Sequence, residues 1–186
     1  MFIQTEATPN PATLKFLPGQ AVLAAGTADF PTEEAAEASP LAARVFKVPG
    51  VTGVFFGPDF VTVTKEDAVD WNHIKPAILG VIMEHYQSGQ PVMGAEAASS
   101  GHADHDGPDG EIVQQIKDLL DTRVRPAVAQ DGGDITFHGF DRGVVYLHMQ
   151  GACAGCPSST ITLKMGIENL LRHYIPEVTE VRPVAA

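Results

Sequence analysis

The chain has 186 residues, 44% hydrophobic and 19% charged, a globular balance with material for one medium core or two small ones. Its 12 Lys and Arg stand against 23 Asp and Glu, a net charge of −11. That acidity disfavours partnership with nucleic acid or an anionic membrane, both of which select clustered basic residues. No apolar run approaches the roughly 18 to 20 residues that span a bilayer. The opening MFIQTEATPNP has neither a basic leader with an apolar run nor an Arg-rich pattern. These features lead to the expectation of a cytoplasmic, bacterial-type protein, with the mitochondrial matrix an option only where a transit peptide has been removed.

FIQTEA and ATLKFLP read as short strands around the turn Pro9-Asn10-Pro11. Ser39-Pro40 places an N-cap before a proline at the first helical position, opening a helix over LAARVFKV that stops at Pro49-Gly50. VTGVFF and FVTVTK form a hairpin across Gly57-Pro58-Asp59, and Phe55, Phe56 and Phe60 around it are expected in the core. Asp70 caps a further helix with the stripe Trp71, Ile74, Ile78, Leu79, Ile82 and Tyr86, and Gly89 lies beyond its end. Pro76 inside that helix predicts a kink or a late start.

Residues 94–109, GAEAASSGHADHDGPD, hold no large apolar side chain and read as a flexible linker. It separates an N-terminal domain, 1–93, from a C-terminal domain, 110–186. In the second, Ile112, Val113, Ile116, Leu119 and Leu120 mark a helix. Arg125-Pro126 opens another short one, which ends before Asp131-Gly132-Gly133-Asp134. DITFHGF and VVYLHMQ pair as a hairpin, and GACAGCP follows. A last helix carries Leu163, Ile167, Leu170, Leu171 and Tyr174, and EVTEVRPV is a final strand joining the hairpin. The expected fold class is α+β: two small domains, the second in the order α-α-β-β-α-β with C-x-x-C at a helix N-terminus.

Cys153 and Cys156 are the only cysteines. Two cysteines make a poor disulfide framework for a chain of this size, so a reducing compartment and a redox or metal role fit better. Pro157 suits a helix start, and free amides with the helix dipole there favour a thiolate. Gly151 and Gly155 let the backbone curl round a ligand, and small Ala152 and Ala154 leave access open. The pair thus reads as reactive, accessible thiols rather than core cysteines. Four readings compete: an incidental pair, thioredoxin-like dithiol redox, zinc, and an iron–sulfur cluster. Thioredoxin-like chemistry would need βαβ units, and a hairpin precedes the motif instead. Zinc and clusters both want about four ligands.

Histidine offers little within one chain. His138, His148 and His173 lack finger spacing and read as surface or half-buried polar residues. His102 and His105 fall in the linker, and His73 and His85 in the other domain. A second copy solves the shortage more simply, since two chains bring four thiolates to a two-fold interface. The chain holds no GxxxxGK[ST] phosphate loop, no Ser-His-Asp set can be argued from spacing, and Asp131–Asp134 reads as a turn into a strand. The protein is expected to be no enzyme.

The stretch from LDTRVRPAVAQDGGDITFHGF through GACAGCPSSTITLKMGIENLLRHYIPEV resembles the Nfu, or NifU C-terminal-like, domain. FIQTEATPNPATLKFLPG resembles the N-terminal domain that accompanies it in Nfu proteins. The resemblance implies an iron–sulfur cluster scaffold or carrier. It implies a [4Fe–4S] cluster bridged between two subunits by Cys153 and Cys156 of each, a homodimer on cluster binding, and transfer to apo iron–sulfur client proteins after receipt from upstream assembly proteins. A dithiol oxidoreductase and a zinc-bridged dimer stay open beside it.

Overall fold

The computed structural model describes residues 1–94, 107–154 and 157–184. The chain forms two compact units, Met1–Ser100 and Gly101–Ala186, each mixed α+β as expected.

The first unit is built on five antiparallel strands in the order β1-β2-β5-β4-β3: β1 Gln4–Ala7, β2 Thr13–Leu17, β3 Ala28–Phe30, β4 Val51–Phe56 and β5 Val61–Lys65. The Pro9-Asn10-Pro11 turn holds because the Asn10 side-chain oxygen accepts the Ala12 amide at 3.0 Å. Helix α1 is Glu33–Ala36, α2 Pro40–Phe46 and α3 Trp71–Ser88. Ser39 caps α2 by accepting the Ala42 amide at 3.1 Å, and Asp70 caps α3 through the Asn72 amide at 2.8 Å. Gly89 ends α3 in the left-handed conformation, φ +68°. Pro76 delays nothing: α3 begins at Trp71 and contains it. The short strand β3 and helix α1 have no forecast in the sequence reading.

Alternation divides the side chains of this sheet. Phe16, Val54, Phe56, Val61 and Val63 join Leu41, Val45, Ile74, Ile78 and Ile82 in one buried cluster. Phe55 and Phe60 are buried too, with ring centroids 6.1 Å apart, and Lys15 Nζ lies 4.7 Å from the Phe60 centroid. All three phenylalanines of the hairpin are therefore interior, and none is left as an exposed docking residue.

The second unit starts with α4, Gly110–Leu119, and α5, Arg125–Gln130. Between them Leu120–Val124 winds as a π-helical turn without a break. The expected helix start at Arg125-Pro126 is thus a continuation. A π turn is one way for a helix to accommodate a proline that lacks the donor of its turn. Strands β6, Gly133–Asp141, and β7, Val144–Gly151, pair antiparallel with an irregularity between Phe137 and Gly139. Helix α6, Pro157–Tyr174, then carries the chain to β8, Glu180–Val184, which lies parallel to β7. So β7-α6-β8 is a crossover unit, and the argument that the cysteine motif lacks βαβ surroundings is corrected.

One cluster fills this unit: Val113, Ile116, Leu120, Val124 and Val128 from the N-terminal helical run, Ile135, Phe137, Val145, Leu147 and Met149 from the hairpin, and Ile167 and Leu171 from α6. Tyr174, expected on the α6 stripe, is 46% exposed, and its ring lies 5.2 Å from the Arg123 guanidinium. The linker reading for 94–109 falls mostly on 95–106, outside the described residues.

Candidate metal centre

Strand β7 ends at Gly151, which has φ +63°. The chain turns there, with the Ala154 amide donating to the Gly151 carbonyl at 3.1 Å, and α6 begins at Pro157. Only glycine takes that φ cheaply, which is why a glycine precedes the cysteine turn. Cys153 sits in this turn. Cys156 lies outside the described residues, so the expectation that both thiols form one accessible site is described for Cys153 alone.

Cys153 departs from that expectation. It is 6% exposed and belongs to the same buried cluster as Met149, Val128 and Ile167. The small neighbours Ala152 and Ala154 therefore do not leave it open. Ala152 is itself buried, whereas Ala154 is exposed, so Cys153 lies on the inner side of the turn.

The glycine-rich segment before β6 forms the other wall. Gly132 has φ +80° and follows α5, as the turn reading of Asp131–Asp134 requires. The Ala152 amide donates to the Gly132 carbonyl at 3.1 Å, and Gly133 pairs with Gly151. The two loops are laced together across the hairpin's open end.

Asp134 anchors this wall. Its side chain is 3% exposed and takes two hydrogen bonds from Arg125, Nε to Oδ1 at 2.8 Å and the terminal nitrogen to Oδ2 at 2.7 Å. Its Oδ1 also accepts the Ile135 amide at 2.8 Å. Arg125 reaches Asp121 at 3.0 Å as well. The Asp134 hydrogen bonds push the guanidinium above its usual value. From the sequence, Arg125 was readable as a helix start and Asp134 as part of a turn into a strand, neither as the other's partner. A charged residue on each side of a glycine pair was the available signal, but only the fold shows them meeting.

The described histidines gather into no ligand set. His138 and His173 are exposed and His73 is exposed on α3. His148 is half-buried, its Nε2 has no hydrogen-bond partner, and burial, with His138 nearby, lowers its pKa. His102 and His105 lie outside the described residues. Among the described residues no three His, Cys, Asp or Glu side chains gather into a metal site. A groove in the first unit lined by Phe2, Gln4, Leu17 and Asp59 offers one carboxylate and no base, so it supplies no acid–base pair.

The second of two small α+β units thus holds a thiol at a strand-to-helix junction, and comparison with known proteins gives the family. Residues 3–89 match the family described as "Scaffold protein Nfu/NifU N terminal", and residues 116–182 match the NifU-like domain. Over 185 residues the chain is 55% identical to the human protein named "NFU1 iron-sulfur cluster scaffold homolog, mitochondrial", covering 99% of this chain and 72% of that one. It is 53% identical to "NifU-like protein 4, mitochondrial" of Arabidopsis thaliana over 97% of this chain and 65% of that one. A solution structure of a NifU-like protein from Saccharomyces cerevisiae is 32% identical, with a TM-score of 0.47, and covers 52% of this chain and 87% of that one. The chain belongs to the Nfu/NifU-like family of iron–sulfur cluster scaffold proteins.

These names correct the cytoplasmic expectation, because the human and Arabidopsis relatives, and one 54% identical from Drosophila willistoni, are each named as mitochondrial. The cysteine argument could not have chosen. It asks only for a reducing compartment.

Proposed function

We propose that this protein is a non-catalytic carrier of a [4Fe–4S] cluster, its cargo, held by Cys153 and Cys156 of one chain together with the same pair from a second. The observation that supports this reading most is one of supply. The chain has two cysteines, both inside the segment matching the NifU-like domain, and the described residues gather no group of three metal ligands. A Cys₄ cluster wants four thiolates, and a two-fold pair of chains has four. Half a ligand set per chain makes the cargo easy to give up, because separating the chains or attack by an incoming thiol breaks the site.

In this reading the homodimer forms on cluster binding, receives the cluster from upstream assembly proteins and passes it to apo iron–sulfur clients. The organisation is 1–93, a linker over 94–109, and 110–186. The first domain has no cysteine and therefore orients partners rather than donating thiolates. The parallel β7-α6-β8 unit removes the topological objection to dithiol redox, so chemistry must separate the two.

Anaerobic reconstitution with iron and sulfide, followed by metal analysis and sizing, does so. A carrier turns brown, holds about four irons per dimer and shifts towards dimer. A colourless monomer cycling between thiol and disulfide would sink the proposal, and so would tight zinc without cluster uptake.

A further inference from the structure

Gly133 begins β6 directly beside the cysteine turn. Unlike Gly132 and Gly151, it has no positive φ, so backbone freedom is not its reason to be glycine. What it lacks is a side chain. A Cβ built on Gly133 would overlap the Cys153 Sγ. It would also stand 2.9 Å from the Gln150 carbonyl oxygen and 3.0 Å from the Cys153 amide nitrogen. The crowding atom is not the far end of a flexible chain. Sγ hangs on a single rotatable bond and lies in a packed core, where an added methylene is felt.

We infer that Gly133 is a positioning residue for the cluster ligands: the space of its absent side chain is a slot that stows the Cys153 thiol inside the domain. The wall of the slot is fixed by the Arg125–Asp134 pair one residue on and by the Ala152-to-Gly132 hydrogen bond. A stowed thiol is shielded from oxidants and from wrong metals. It becomes a ligand when the turn from Gly151 to Ala154 swings Sγ out of the slot. This rests on reading Cys153 as a ligand, but the shielding itself is measurable with no metal present, so the two claims fail separately.

The test uses the full-length apo protein with Cys156→Ala, which leaves Cys153 as the one thiol. Iodoacetamide labelling is followed by mass spectrometry, well below the melting temperature. Folded protein should react at least about tenfold more slowly than the same chain in guanidinium, as a locally protected group does. Gly133→Ala should bring the rate close to the unfolded value, and the rate should not climb with low urea. Gly139→Ala serves as a control on the same strand, because its Cβ would meet only Tyr146 at 3.9 Å. It should leave the rate unchanged. Full protection retained in Gly133→Ala, or a loss of protection that grows with urea as global unfolding requires, overturns the inference. If Gly133→Ala does not fold, it is made again with Cys153→Ala. Deleting Sγ should then recover most of the lost melting temperature, and an unchanged deficit would mean that the crowding is with the Gln150 backbone and that no thiol slot exists.

Discussion

The two units use similar parts, a sheet containing an antiparallel hairpin and helices packed with it, and bury different chemistry. In the first, the core is aromatic and aliphatic, and its fully buried titratable side chain, His85, is held neutral. Neither His85 ring nitrogen completes a hydrogen bond. Burial, helped by Arg44, lowers its pKa, against a weaker opposite pull from the Gln90 and Pro91 backbone. In the second, the core takes in a thiol, and beside it a charged pair is bonded bidentately. A neutral base avoids the cost of a buried charge by giving up its proton. A buried carboxylate such as Asp134, next to the cysteine turn, avoids it only by fixing a partner in place. The first unit thus buries a neutral base, whereas the second fixes an ion pair beside its cysteine turn.

Removing the thiols breaks this contrast most completely. Cys153→Ala or Cys156→Ala should abolish brown colour and iron uptake on reconstitution, while circular dichroism shows both units folded. Collapse of the apo fold would instead mark the cysteines as structural.

Asp134→Ala comes next. It strips the bidentate partner from Arg125, leaving Asp121 alone, and should cost the second unit about 3 kcal/mol in urea unfolding, with the transition of the first unit unmoved. Asp134→Asn should keep part of that stability through its remaining hydrogen-bonding oxygen.

In the first unit, Ser39 both caps α2 and donates to the Val92 carbonyl, tying the chain after α3 to the start of α2. Ser39→Ala should cost about 1 to 2 kcal/mol, read as a lower melting temperature with cluster uptake intact.

The smallest effect is the pH dependence set by His85. Its folded pKa lies below its unfolded one, so the unfolded chain takes up a proton first. Stability should therefore fall as pH drops from the ordinary imidazole value, near 6.5, towards the lowered one. His85→Leu should flatten that slope. The difference between the two melting curves isolates His85 from Asp29, whose burial raises its carboxyl to about 6 and whose slope has the opposite sign.

Local signals were legible wherever the chain decides locally. Ser39 and Asp70 were readable as caps because a cap satisfies amides two or three residues away. The β4–β5 and β6–β7 hairpins were readable from alternation and turn residues. Arg125-Pro126 misled because a proline within a helical run marks strain without saying how it is relieved, and here a π turn absorbs it. Tyr174 misled because periodicity places a residue on a face but does not say where the neighbouring core ends.

By itself, the sequence determined the two α+β units, the location of Cys153 at a strand-to-helix turn, and a family membership carried by contiguous motifs. Tertiary structure alone decided that Cys153 lies buried against Gly133, that Arg125 closes on Asp134, and that β8 runs parallel to β7. The physical reason is range. Caps and alternation are set by residues a few positions apart, whereas Cys153 meets Gly133 from the far end of a hairpin, where no period in the chain records the meeting.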